Sequence, residues 1–177
     1  MSSASRGADF EAQVFSFFEA EIKADRFIAK PDCCAIFAQK AYHSRDRQSN
    51  IVFDVAIEFT LAGETEPSMR WLIECKHYGH PVGVAEIEEF FAKVQQVAAA
   101  NSKAVVVTSN SFQSGALEFA RSKGIGLLRM FPPSAFKWEL LRSPSSLRIS
   151  RVAIARRRCV AWSYAGGLPQ STIRLLL

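Results

Sequence analysis

The stretch IVFDVAIEFTLAGETEPSMRWLIECKH, residues 51–77, holds two apolar runs around a loop containing Gly, Pro and Glu. In the first run Ile51, Phe53, Val55, Ile57 and Phe59 fall on one face of an expected strand, and Val52, Asp54, Ala56 and Glu58 on the other. In the second, Trp71, Ile73 and Cys75 alternate with Leu72, Glu74 and Lys76. Folding the two as a hairpin centred on Glu64 sets Ile57 against Trp71, Val55 against Ile73 and Glu58 against Arg70. Two apolar pairs and one pair of opposite charge favour that register. The same register places Asp54 opposite Glu74 with Lys76 beside them. Carboxylates whose Cβ atoms are roughly 5 Å apart repel one another, so a cation is expected between them.

Upstream, Phe10, Val14, Phe17, Phe18 and Ile22 recur at helical spacing, predicting a helix from Asp9, as its N-cap, to about Asp25. AIFAQKAY, 35–42, reads as the first strand, and HSRDRQSN as the turn into the second. Downstream, Ile87, Phe90, Phe91, Val94 and Ala98 form the stripe of a helix over about 84–100. KAVVVTS, 103–109, is continuous and β-branched, as in a strand buried on both faces. A third helix over about 112–123 ends at Gly124, and IGLLR is a short last strand. The order α-β-β-β-α-β-α-β implies an α/β fold, with a mixed central sheet flanked by helices on both faces. Pro132-Pro133 and RSPSSLR mark a boundary between a domain over 1–135 and a basic extension over 136–177.

With 177 residues, 49% of them hydrophobic and 14 Phe, the chain can bury a full core without disulfides or a structural metal. Its four cysteines show no CxxC spacing and its start has no apolar signal core, which together predict reduced thiols and a cytoplasmic protein. The uncharged run Cys159 to Ile173 contains Gly-Gly, Pro and Gln and is too short and polar to span a bilayer, so no membrane association is expected. Residues 141–177 hold seven Arg, no Lys and no acid, against a net charge of +5 for the whole chain, so residues 1–140 carry −2. The basic pI therefore comes from the tail, read equally as a phosphate-binding arm or as a remnant end.

Asp54, Glu74 and Lys76 form the pattern D, 19 residues, E-x-K. Two carboxylates on adjacent strands are oxygen ligands for Mg²⁺, which takes few protein ligands and keeps several waters. Lys76 on the same face can orient a water or stabilise charge developing on phosphate. An E-x-K alone is common by chance, and the signal lies in its position on the strand paired with that of Asp54. Solvated charges on an open sheet face are the rival reading, weakened by the helices expected on both sides. Glu11, at the head of the first helix, is either a first-turn charge or a site residue. Cys75, His77 and His80 lack a second ligand cluster, which argues against zinc. The serines and histidines show no spaced triad.

The ordered segments GADFEAQV, NIVFDVAIEF, WLIECKHY and AVVVTSNSFQSGALEFARSKGIGLL resemble the PD-(D/E)XK nuclease superfamily, most closely the Mrr-like restriction endonucleases, over about residues 7–130. The resemblance implies a restriction-endonuclease-like fold with an α-β-β-β-α-β core and Mg²⁺-dependent cleavage of DNA. It assigns Asp54, Glu74, Lys76 and Glu11 to catalysis, with Asp54 and Glu74 as metal ligands. Many Mrr-like members carry Gln where this chain has Glu74, and Phe53 stands where a Pro would precede the acid. Tyr78 is expected at the cleft rim. Gln95, at the edge of the second helix's stripe, is either a contact to DNA or metal waters, or a core-edge amide. The resulting expectation is a DNA endonuclease serving restriction or DNA processing, plausibly a homodimer because cutting both strands usually requires two sites. A non-catalytic nucleic-acid-binding module and a ribonuclease of the same fold are the alternatives.

Overall fold

In the computed structural model, residues 3–98, 100–131 and 135–141 are described. Among these residues three α-helices, α1 (Ser3–Lys23), α2 (Val84–Ala98) and α3 (Ser114–Lys123), pack on a six-stranded sheet. Its strands are β1 (Cys34–Ser44), β2 (Ser49–Phe59), β3 (Met69–Lys76), β4 (Ser102–Thr108), β5 (Gly126–Phe131) and β6 (Ala135–Leu140), and they lie side by side in chain order. The first three are antiparallel, β3, β4 and β5 are parallel, and β6 returns antiparallel. This is a mixed α/β sheet of restriction-endonuclease-like architecture. Helical crossovers through α2 and α3 make the parallel part possible. No helix among the described residues is long and apolar enough to cross a membrane.

The β2–β3 hairpin has the register its side chains demand: Val55 opposite Ile73, Ile57 opposite Trp71 and Glu58 opposite Arg70. Apolar layers form on both sides. Phe10, Val14, Phe18 and Ile22 of α1 cover Val55, Ile57, Trp71, Ile73, Val105 and Val107. Ile87, Phe90 and Val94 of α2, with Ala116 and Ala120 of α3, cover Ala56, Leu72, Val106 and Leu127 on the opposite face. Trp71 meets Phe18, Phe27 and Trp138 edge-on, locking α1, β3 and β6 together. The left-handed Gly124 (φ 70°) ends α3 as expected.

Three expectations are corrected. First, α1 begins at Ser3, two turns before Asp9, so Asp9 caps nothing and Glu11 lies well inside the helix. Ser, Ala and Gly there carry no apolar period to announce the start. Second, the strict alternation of β2 breaks at Asp54. Ile51 and Phe53 belong to the α2–α3 layer, whereas Val55 and Ile57 belong to the α1 layer. The cause is local. Gln39 has φ 49°, and the β1–β2 ladder skips the Gln39/Asp54 rung between Ala38–Val55 and Lys40–Phe53. Beyond that rung each strand turns its other face to the same layer, so Ile36 packs with α1 while Tyr42 packs with α2. Third, the sheet continues through β6, past residue 135, where the domain was expected to end. Residues 142–177, with the Arg-rich tail, lie outside the described residues.

Candidate metal centre and catalytic site

Asp54 sits where the sheet changes face. The β2–β3 ladder stops at Val55–Ile73, one rung short of Asp54 and Glu74. Instead, the Cys75 backbone N–H donates to Asp54 Oδ2 at 2.7 Å, so the side chain satisfies β3 where the β2 backbone no longer does. Asp54 thereby becomes fixed at the point where the strands part, with one carboxylate oxygen tied. Burial is the main cause pushing its pKa up from 3.8 to about 6. The Cys75 N–H opposes that rise, the negative charges of Glu74 and Glu11 add to it, and Lys76 opposes it.

Glu74 is buried, with 6% of its surface exposed, and is held by two ammonium groups. Lys76 Nζ donates to its Oε1 at 2.9 Å, and Lys93 Nζ, reaching from α2, donates to the same oxygen at 3.3 Å. Lys93 also pairs with Glu89 one turn earlier on the helix, at 3.2 Å. Burial acts to lower the Lys76 pKa, yet the hydrogen bond and charge of Glu74 raise it above its ordinary value. Lys76 is thus a partly buried ammonium group bonded to the Glu74 carboxylate.

Glu11 approaches from α1. Its Oε2 accepts a hydrogen bond from Gln39 Nε2 at 2.6 Å. An open cleft of about 310 Å³ is walled by Ala8, Glu11, Ala12, Ala38, Gln39 and Asp54 among others, placing both acids on one cavity. Each of the three carboxylates therefore has one oxygen held by a protein donor. Among the described residues no three His, Cys, Asp or Glu side chains converge at ligand spacing. Asp54 and Glu74 supply hard oxygen donors, the type taken by an ion such as Mg²⁺ that fills its remaining positions with water.

The loops leaving β3 and β4 frame the site. Thr108 Oγ1 donates to the Lys76 carbonyl at 2.8 Å, and Asn110 Nδ2 donates to the Tyr78 carbonyl at 3.3 Å. Ser109 Oγ and His77 Nδ1 are 2.8 Å apart, and the His77 ring stacks on Phe10. Val82 and Phe112 form a parallel bridge that closes the frame. Tyr78 stacks on His80, with Lys76 Nζ 6.0 Å from its ring. Tyr78 is thus partly exposed beside Lys76.

Of the residues singled out in the sequence, Asp54 and Glu11 share one cleft, Glu74 and Lys76 are hydrogen-bonded, and Tyr78 lies beside Lys76. Gln95 does not join them, being exposed on α2, and the contact from that helix to Glu74 comes from Lys93. Lys93 and Gln39 are the two residues sequence reasoning missed. Lys93 left one trace, its position between the core residues Phe90 and Val94 on the sheet-facing helix. Gln39 left none, because a positive φ in a strand has no signature in Gln.

A family model described as a restriction endonuclease, Mrr_cat, matches residues 31–130, more than half of the chain. The chain belongs to this restriction endonuclease family. The matched segment runs from the start of the β1 region to β5 and includes Asp54, Glu74 and Lys76, while Glu11 lies before it. Among solved structures, a protein of unknown function titled AF1548 aligns at a TM-score of 0.44 and 20% identity, covering 63% of this chain. The chain spans 56% of that structure's length. No curated protein matches.

Proposed function

We propose that this restriction endonuclease domain is a Mg²⁺-dependent DNA endonuclease that works on foreign, damaged or branched DNA in the cytoplasm. The observations that carry the reading are Asp54, tied to the Cys75 N–H in the cleft it shares with Glu11, and Glu74 on the neighbouring strand, paired with Lys76 and Lys93. Mg²⁺, when bound, polarises a phosphoryl oxygen and lowers the pKa of a water. Asp54 and Glu74 would hold the ion, and Glu11 would orient a water from α1. Lys76, kept cationic by Glu74, faces the charge that develops on the phosphate. Lys93 offsets the remaining negative charge of Glu74, so that a phosphodiester can approach an otherwise acidic site. Tyr78 offers an aromatic face to a sugar or base at the rim, and the exposed Gln95 a contact to the duplex outside it. Cutting both strands calls for two such sites, supplied by a homodimer.

The test is incubation of purified protein with plasmid, linear and branched DNA, and with RNA, with and without Mg²⁺. Nicking or linearisation that needs Mg²⁺ and disappears in Asp54→Ala and Glu74→Ala is the expected result. DNA binding without cleavage under all conditions would mark a non-catalytic binding module. Cleavage of RNA alone would mark a ribonuclease.

A further inference from the structure

Gln39 stands within β1 at φ 49°, a conformation that costs a non-glycine residue about 1 kcal/mol or more. Glycine adopts that backbone without the Cβ penalty, and Asn tolerates it better than most side chains. A long amide offers the backbone nothing at this position. What it offers is reach: from β1 its Nε2 donates to Glu11 Oε2 on α1 at 2.6 Å. The kink also falls at the skipped rung opposite Asp54, which puts Gln39, Glu11 and Asp54 on the wall of one cleft. Beside Glu11 the cleft is lined by Ala8, Ala12, Phe15, Ser16 and Ala38, and the hydrogen bond that holds the carboxylate comes from Gln39.

We propose that Gln39 is a positioning residue for the metal centre, acting through Glu11. One amide hydrogen fixes one oxygen of the Glu11 carboxylate and leaves the other for the cleft shared with Asp54. The strained backbone is the cost of delivering that amide from the strand. This inference rests on the metal-centre reading above and extends it to a residue that touches neither ion nor substrate.

The full chain is titrated with Mg²⁺ by calorimetry without DNA, and its thermal midpoint is recorded without metal. Four proteins are compared with wild type: Gln39→Gly, Gln39→Asn, Glu11→Gln, and Glu11→Gln combined with Gln39→Gly. Both single Gln39 variants should melt at or above the wild-type temperature, because Gly and Asn suit the kink and Asn is too short to reach Glu11. Both should bind Mg²⁺ about tenfold more weakly, the low end of the effect of disturbing the outer shell of a metal site. In the Glu11→Gln background, Gln39→Gly should cause no further loss. Wild-type affinity in both Gln39 variants overturns the proposal. So does an additive loss in the double variant, or a lowered melting temperature, which would make the Gln39–Glu11 bond a structural tie. If wild type itself takes up no Mg²⁺, the metal-centre reading fails first and this one with it, an outcome distinct from unchanged variants of a binding protein.

Discussion

Asp54→Asn separates the two roles of the central carboxylate. The side chain is buried beside Glu74 and Glu11, and its folded pKa of about 6 exceeds the ordinary 3.8. The folded protein therefore prefers Asp54 protonated. This favourable contribution is complete below about pH 4 and is lost as pH rises through about 6. Each pH unit of displacement corresponds to about 1.4 kcal/mol, so the ionised group costs at most about 3 kcal/mol at pH 8. Water reaching the open cleft reduces that cost, and a neutral Asn oxygen accepts from the Cys75 N–H less strongly than a carboxylate, leaving a net of about 1–2 kcal/mol. Without metal at pH 8, Asp54→Asn should melt roughly 3–6 °C above wild type, and the difference should vanish near pH 4. Adding Mg²⁺ at ten times its dissociation constant should stabilise wild type by about 1.4 kcal/mol and leave the variant unmoved. Thermal melts at pH 4 and pH 8, with and without Mg²⁺, measure all four values. A variant less stable than metal-free wild type at pH 8, or one stabilised equally by Mg²⁺, would refute the reasoning.

Glu74→Ala should abolish Mg²⁺ uptake and DNA cleavage together, whereas Lys76→Ala should lose cleavage but keep both metal and DNA binding, as calorimetry and gel shifts would report. Lys93→Ala removes a cation that competes with the ion for Glu74, so Mg²⁺ affinity in DNA-free protein should rise about two- to fivefold, while DNA affinity measured in Ca²⁺ should fall. Glu11→Gln should weaken Mg²⁺ affinity with little change in melting temperature, because Glu11 lies on the cleft and outside the core. Phe18→Ala, which empties a fully buried site against Trp71 and Phe27, should cost about 3–5 kcal/mol in denaturant unfolding.

The hairpin register was legible because its pairs are chemically one-sided: Trp71 needs an apolar partner, and Glu58 needs Arg70. Lys40 and Tyr42 also reach Glu58, at 3.0 and 2.8 Å, and no spacing rule foretells a contact made by an edge strand. The same register put Asp54 opposite Glu74, yet the ladder stops at Val55–Ile73 and a bond from the Cys75 N–H to the Asp54 side chain takes the place of that rung. The reversal of faces at Asp54 was not legible, because IVFDVAIEF alternates without a break and the reversal depends on backbone geometry at Gln39 in a neighbouring strand. Lys93 required the rotation of α2 about its axis, which apolar spacing fixes only to within the width of the stripe. β6 was hidden behind Pro132-Pro133, which reads in sequence as a break, and its Trp138 reveals its packing role only once Trp71 is beside it.

The ties from Thr108, Ser109 and Asn110 to Lys76, His77 and Tyr78 make two loop exits behave as one rim. A rim knotted together during folding has already given up its conformational freedom, so little ordering remains to oppose arrival of a duplex. Encounter with DNA should then resemble docking onto a preformed edge, with a heat-capacity change small enough to be explained by the contact area alone. Selectivity in such a site comes from which DNA shapes the fixed rim accepts, and a bent, gapped or branched substrate must bring the deformation itself.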